Sequence, residues 1–263
     1  MTTQHWMIYG ANGYTGELIA RQAVAQGLRP VLAGRSANKL QALAGELGLE
    51  HRAFGLDQPE AVKKGLAGID LVMHCAGPFS ATSTPMVEGC LAVGSHYLDI
   101  TGEAAVFEHV HMLTSRAREA DVVLCPGVGF DVIPTDCVAA KLKQLLPDAQ
   151  YLSLGFQSST GPSPGTSKTL VEGLSKGSLE RRDGRLVSVP LGSKHRDIDF
   201  GRGPRSAMAI PWGDGSTAYY TTGIPNIDTW IPLPKSAIYG AKMMNLGKAV
   251  FGLGFVQDRK SVV

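Results

Sequence analysis

Gly10-Ala11-Asn12-Gly13-Tyr14-Thr15-Gly16 decides the fold. The stretch closes a short apolar run, Trp6–Gly10, and opens a helical pattern, Tyr14–Gln26. Glycines between a strand and a helix permit a tight turn, let the backbone come close to a diphosphate, and let the helix pack on the strand. The N–H groups and partial positive charge of the opening helix then face the phosphates. The spacing is G-x-x-G-x-x-G rather than G-x-G-x-x-G. Either form alone is weak, and the strand before and helix after it give it weight. The competing reading is a glycine-rich turn that packs tightly and binds nothing.

Outward from this loop the first half alternates. Apolar runs at Pro30–Ala33, His51–Leu56, Asp70–Cys75, His96–Ile100 and Val122–Cys125 are separated by helical patterns at Asn38–Leu47, Pro59–Leu66, Pro85–Val93 and Ala104–Glu119. Continuous apolar strands between helices predict a parallel sheet covered on both faces, with right-handed crossovers. This is a doubly wound Rossmann domain, expected over residues 1–134. The rhythm then changes. A helix is expected over Thr135–Leu145. Tyr151–Gln157 alternates, with Leu152, Leu154 and Phe156 on one face, as in a sheet buried on one side. Strand-like pieces follow at Leu186–Val189, Ala207–Ile210 and Ala218–Thr222, after a helix expected over Thr169–Lys176. The fold class is α/β, with a second α+β domain over 135–257.

A third helix of this domain is expected over Ala237–Val256. The final Asp258-Arg-Lys-Ser-Val-Val263 resembles a translated sequencing adapter, so residues 258–263 are expected to be foreign and the natural chain to continue past Gln257.

The 263 residues carry 25 Lys and Arg against 23 Asp and Glu, a net charge of +2, which gives no reason to expect nucleic acid as a partner. Cys75, Cys90, Cys125 and Cys137 form no C-x-x-C pair and read as structural thiols in a reducing cytoplasm. Thr2, Gln4 and His5 stand where a signal peptide needs an apolar run. No apolar stretch reaches the roughly 20 residues that span a bilayer.

The second strand ends Ala33-Gly34-Arg35-Ser36. Sites selective for NAD place a carboxylate here, about 20 residues past the loop, for the ribose 2′-hydroxyl. Arg35, Ser36 and Lys39 instead suit a 2′-phosphate, so the expected cofactor is NADP. A charge-assisted bond of about 1.5–3 kcal/mol gives one to two decades of affinity. Asp57 is read either at the adenine edge or as a turn or N-cap residue before Pro59. Ala76-Gly77-Pro78-Phe79 follows the fourth strand at the carboxyl edge and is expected to line the nicotinamide side.

Gly10–Gly16, Ala33–Arg35, Ala76–Phe79, Tyr97-Leu-Asp99-Ile-Thr-Gly102-Glu103 and Pro126-Gly-Val-Gly129-Phe-Asp131-Val-Ile-Pro134-Thr-Asp136 occur in that order. Together they resemble the saccharopine dehydrogenase-like NADP-binding family, in its trans-acting enoyl reductase and saccharopine dehydrogenase-like oxidoreductase branch. The resemblance runs through 5–136 and is diffuse to Leu233. It implies a Rossmann domain, an α+β domain on the substrate side, and a small or lipid-linked substrate, enoyl or imine/amino-acid in type. Fold and family do not fix the reaction.

Tyr97, Asp99, Glu103, Phe130 and Asp131 leave the fifth and sixth strands at the carboxyl edge and are the substrate-side candidates. A structural role stands beside each: Glu103 as a helix-start acid and Asp131 as a cap near Ile133. No Tyr-x-x-x-Lys is present, since Tyr239-Gly-Ala-Lys242 is one residue short. His74 and His96 could donate protons, although lone strand histidines are more often packed. No metal site is argued from His109 and His111. No nucleophile elbow accompanies the serines. The loop Ser158–Ser167 is read either as an anion or substrate loop or as a plain connection. Membrane-surface contact through Ala237–Val256 is disfavoured, since a packing helix would look the same. Two functions remain: an NADP(H)-dependent oxidoreductase, or an NADP(H)-binding sensor or scaffold without turnover. No catalytic residue is assigned.

Overall fold

The computed structural model describes residues 5–158 and 177–251. The chain divides into two compact units, Met1–Pro134 and Thr135–Val263. All but Ser158 of the loop expected over Ser158–Ser167, the helix expected over Thr169–Lys176, and residues 258–263 lie outside the described residues.

In the first unit β1 (Trp6–Tyr9), β2 (Val31–Gly34), β3 (His51–Ala53), β4 (Leu71–His74), β5 (His96–Asp99) and β6 (Leu124–Cys125) form a parallel sheet in the order β3-β2-β1-β4-β5-β6. That is the doubly wound order whose connections reverse beside the first strand. Met7 pairs with Val31 on one side and Val72 on the other. The helices are α1 (Tyr14–Ala25), α2 (Ala37–Leu47), α3 (Pro59–Leu66), α4 (Phe79–Val93), α5 (Ala104–Met112) and α6 (Thr114–Glu119).

Side chains alternate across a strand, and both sides of this sheet are buried. Ile8, Leu32 and Met73 pack with Ala20, Leu40 and Leu43 of α1 and α2. Met7, Tyr9, Val31 and Val72 pack with Val62, Leu66, Met86, Val87 and Val106 of α3, α4 and α5. Burying a side chain such as Leu40 or Leu66, each at 0% exposure, contributes roughly 1.5–3 kcal/mol.

Two expectations need correction here. Helix α4 begins at Phe79, not Pro85. Proline disfavours helical backbone in the residue before it, yet Ser83 and Met86, at 2% and 0% exposure, carry the helix through. The helix read as Ala104–Glu119 is two, broken at Leu113, whose buried side chain closes the first unit's core.

The second unit begins within the first turn of α7 (Ile133–Leu145) and contains β7 (Tyr151–Gly155), β8 (Ser178–Arg182), β9 (Arg185–Val189), β10 (His195–Asp199), β11 (Pro204–Ile210), α8 (Asp214–Thr222), β12 (Asn226–Pro232) and α9 (Lys235–Phe251). The sheet runs β10-β11-β12-β8-β9, and β7 pairs parallel with β12. Leu152, Leu154 and Ile227 pack with Ala139 of α7 and Ala218 of α8. Met208 and Ile210 pack with Ile238 and Ala241 of α9. On the other face, buried Glu180 pairs with Arg182 and Lys194, and Lys194 reaches Asp228 at 3.2 Å.

Strands β8, β10 and β12 were not expected, and Ala218–Thr222 is helix rather than strand. Thr217-Ala-Tyr-Tyr-Thr-Thr is rich in strand formers. Burial of Asp214, Ser216 and Ala218 at 0% exposure, and the left-handed Gly223 that ends the helix, override that preference. Thr135 and Asp136 at the start of α7 are tied to α8. The Thr135 hydroxyl donates to Asp214, and the Thr221 hydroxyl donates to Asp136 at 2.7 Å.

Among the described residues no helix is long and apolar enough to cross a membrane.

Candidate functional site

The loops that leave β1 and β4 flank the point where the strand order reverses, the usual place for a ligand in such sheets. Between β1 and α1, Gly10 has a φ of +86°, a left-handed value that suits glycine. Its amide donates to the Ala33 carbonyl at 2.7 Å, and the amide of Ala11 shares that carbonyl at 3.1 Å. A Cβ on Gly10 would stand 2.8 Å from the Ala76 nitrogen, and one on Gly16 2.2 Å from the Gly10 oxygen. These glycines therefore let three backbone segments close on one another.

Gly13 caps α1 with extended backbone and no side-chain hydrogen bond. The amides of Tyr14, Thr15 and Gly16 consequently have no acceptor within the helix. Gly13 and Tyr14 are exposed beside them, Tyr14 at 68%. The Asn12 side chain crosses the end of β2, its oxygen 3.0 Å from where a Gly34 Cβ would be. An open helix start framed by glycine is a cradle that fits a diphosphate.

Arg35 leaves β2 and is exposed. Ser36 is the N-cap of α2, without a side-chain cap bond, and Lys39 is exposed in its first turn. Arg35 and Asp57 both act on the Tyr9 hydroxyl. Burial is the main cause that pushes Tyr9 up to about 12; Arg35 opposes and Asp57 reinforces it. Both residues thus lie within electrostatic reach of Tyr9, at the carboxyl ends of β1 to β3. Strand β3 ends at Ala53 and the N-cap of α3 is Gln58, so Asp57 belongs to the intervening loop and caps nothing. Its carboxylate folds over Gly55, 2.5 Å from where a Cβ there would be.

After β4, Ala76, Gly77 and Pro78 form a turn with a cis Gly77–Pro78 peptide, and Phe79 is buried at the start of α4. Glu103 holds that start: its two carboxylate oxygens accept from the amides of Phe79 and Ser80, each at 2.9 Å. It is a helix-start acid as one reading had it, but for α4 rather than for the helix that follows it. Both oxygens are engaged in the framework.

Tyr97 and Asp99 are buried at 0% exposure. Tyr97 donates to Asp99 at 2.6 Å, and Asp99 also accepts from the amides of Thr101 at 2.9 Å and Gly127 at 2.7 Å. Burial raises the Asp99 carboxyl above its ordinary value, with these hydrogen bonds opposing. Their geometry joins β5 to the loop after β6 and keeps both side chains away from solvent.

Phe130 and Asp131 are placed differently. The Phe130 ring is 69% exposed. Asp131 is half-buried against Gly102, where a Cβ would stand 2.7 Å from its carboxylate oxygen, and burial raises its carboxyl. The loops after β5 and β6 therefore converge. His96 takes the Val123 amide on its Nδ1 at 3.0 Å.

Of the two readings of His74, proton donor or packed strand histidine, its burial fits the second. It is wholly buried, burial pushes it down to about 3, and its Nε2 lies 3.1 Å from Thr82 Oγ1. Neither Thr82 nor the pairing of Glu103 with α4, 24 and 23 residues apart in sequence, carried any sequence signal. Among the described residues no group of three or more His, Cys, Asp or Glu is placed to hold a metal. A hollow of about 190 Å³ beside Trp6, Arg29 and Leu49 lies at the amino ends of β1 to β3, the edge away from these loops.

Residues 6–125 match the family described as saccharopine dehydrogenase NADP binding domain. The resemblance read from the sequence, and NADP as the cofactor, agree with that match. A saccharopine dehydrogenase-like oxidoreductase of Mus musculus is 28% identical over 206 residues, covering 67% of this chain and 48% of that protein. A trans-acting enoyl reductase of Mycobacterium tuberculosis (strain ATCC 25618 / H37Rv) is 29% identical over 138 residues, covering 49% of this chain and 33% of that protein. The solved apo saccharopine dehydrogenase (L-Glu forming) from Saccharomyces cerevisiae has the same fold, with a TM-score of 0.62 at 15% identity over 86% of this chain and 55% of that one. The chain thus spans less than half the length of either curated relative.

Proposed function

We propose that this chain, whose first unit is a saccharopine dehydrogenase-type NADP-binding domain, acts as an NADP(H)-dependent oxidoreductase on a small or lipid-linked substrate of enoyl or imine/amino-acid type. The observation that carries the reading is the open start of α1, framed by Gly10 and Gly16, with Arg35 leaving the adjacent strand. The amides of Tyr14, Thr15 and Gly16 would hold the diphosphate. Arg35, Ser36 and Lys39 would hold the 2′-phosphate, Asp57 would border the adenine, and Ala76 to Phe79 would border the nicotinamide. When bound, NADPH supplies the hydride, and the protein supplies position and a proton.

Of the five substrate-side candidates, Tyr97, Asp99 and Glu103 serve the framework. We assign the substrate edge to Phe130, whose exposed side chain offers apolar contact, and to Asp131, whose carboxyl is raised by burial where the loops after β5 and β6 converge. The proposed compartment is the cytoplasm, with no nucleic-acid partner.

The test is NADPH binding by fluorescence, followed by NADPH oxidation against enoyl thioesters and imines. Asp131→Asn should lower turnover and leave NADPH affinity unchanged. The engagement of Tyr97, Asp99 and Glu103 in the framework favours a second reading, a sensor or scaffold that binds NADP(H) without turnover. Firm NADPH binding with no oxidation of any substrate would establish that reading over the first.

A further inference from the structure

We propose that His74 and Thr82 form a latch that sets the Ala76–Pro78 turn against the glycine loop, and so are positioning residues for the cofactor crevice; the inference rests on the NADP(H) reading above. His74 ends β4 with its ring among aromatic neighbours. Its centroid lies 5.4 Å from Tyr9, 5.4 Å from Phe79 and 6.0 Å from Tyr97. Burial keeps the imidazole neutral, so it carries one N–H.

The direction of the hydrogen bonds follows from the acceptors. Thr82 Oγ1 lies 2.6 Å from the Ala76 carbonyl and 3.1 Å from the Pro78 carbonyl. Carbonyls only accept, so the single hydroxyl proton goes to them. The hydroxyl oxygen then accepts from His74 Nε2, 3.1 Å away. The histidine proton is therefore on Nε2, and Nδ1 is buried without a partner among the described residues.

An unpartnered buried nitrogen is destabilising, and phenylalanine would suit the same aromatic surroundings without that penalty. What phenylalanine lacks is the donor that orients Thr82. The position of Ala76 matters because its nitrogen and Cβ would lie only 2.8 and 2.9 Å from a Cβ on Gly10. The turn and the phosphate loop touch there, and the Cys75 amide donates to the Tyr9 carbonyl at 2.7 Å just beneath. Displacing Ala76 shifts the wall against which the phosphate loop rests.

The test uses the full chain and NADPH affinity measured by its fluorescence, beside thermal unfolding, with no turnover required. Thr82→Val should weaken NADPH about tenfold, the worth of one ordinary hydrogen bond, and Thr82→Ser should restore it. The double variant His74→Phe/Thr82→Val removes the buried donor with its acceptor. It should melt no lower than the wild type and still bind NADPH about tenfold more weakly. Wild-type-like affinity in both valine variants overturns the latch while leaving the NADP(H) reading intact. A loss of affinity that only follows the unfolded fraction also overturns it. If the wild type itself does not bind NADPH, the underlying reading fails and the latch with it.

Discussion

Gly16→Ala isolates the loop from the helix it opens. An alanine Cβ would stand 2.2 Å from the Gly10 oxygen and 2.9 Å from Ala11 Cα, where ordinary contact begins near 3.4 Å. The loop must recede by about 1 Å, a displacement that can cost about a hundredfold at a positioned site. Retreat also loosens the Gly13 amide's bond to that same Gly10 oxygen, now 3.0 Å. The helix itself has no objection: Gly16 lies in its first turn outside the left-handed region, and alanine is a better helix former by about 1 kcal/mol. The overlap is with backbone, so it should also cost about 1–3 kcal/mol of stability, of which better helix propensity returns about 1 kcal/mol. NADPH affinity should drop by about two decades, or 2.7 kcal/mol, more than the change in stability. Gly45→Ala in α2 is the control, since its Cβ would meet nothing within 4 Å. It should raise stability by roughly 0.5–1 kcal/mol and leave binding alone. Fluorescence titration and melting curves read both. NADPH affinity in Gly16→Ala within about threefold of wild type, under 1 kcal/mol, would refute the cradle.

Further outcomes follow from the same geometry. Arg35→Ala should weaken NADPH about tenfold, the low end for a charge-assisted bond because Arg35 is exposed, and leave NADH binding unchanged; equal losses for both cofactors would remove it from the 2′-phosphate. His74 stays neutral down to about 3, whereas its ordinary value is 6.5. Between those values the unfolded chain binds a proton that the folded chain refuses, so this contribution to stability is full above 6.5 and is lost on acidification, by up to about 1.4 kcal/mol per pH unit. Asp99 and Asp131, raised by burial, act in the opposite sense, since the folded state keeps their protons longer as pH rises. His74→Phe should flatten the pH dependence by about one proton, and denaturant unfolding at two acidic pH values that gives the same slope for both proteins would contradict this. Glu103→Ala removes both acceptors at the start of α4 and should lower unfolding free energy by about 1–2 kcal/mol in urea.

The first unit was readable because its signals are local. Continuous apolar strands, the glycine loop and Arg35 at the end of β2 all lie within spans that one supersecondary unit sets. The second unit was less readable for a physical reason. Strands β8, β10 and β12 carry charged residues, such as Glu180, Arg196 and Asp228, whose partners Lys194 and Trp230 lie elsewhere in the unit. Those partners are distant in sequence, as with Lys194 and Asp228, 34 residues apart. Around the site, spacing brought the loops after β4, β5 and β6 to one edge. It could not show that Glu103 and Asp99 are engaged by backbone amides, because those amides come from other loops. The Thr135 and Asp136 pairs with α8 span 79 and 85 residues and were equally out of reach.

The two sheets differ in when their middle is made. Strand β1, central in the first, leaves the ribosome before the other described strands of its sheet, so each later βα unit has a template waiting for it. Strand β12, which touches β7, β8 and β11, is the last described strand of the second. During synthesis the first unit can close while β7 to β11 still lack the strand that joins them, and domains generally fold in that N-terminal-first sequence. Ribosome-stalled chains ending before Asn226 should therefore show a protease-resistant first unit followed by cleavable β7–β11.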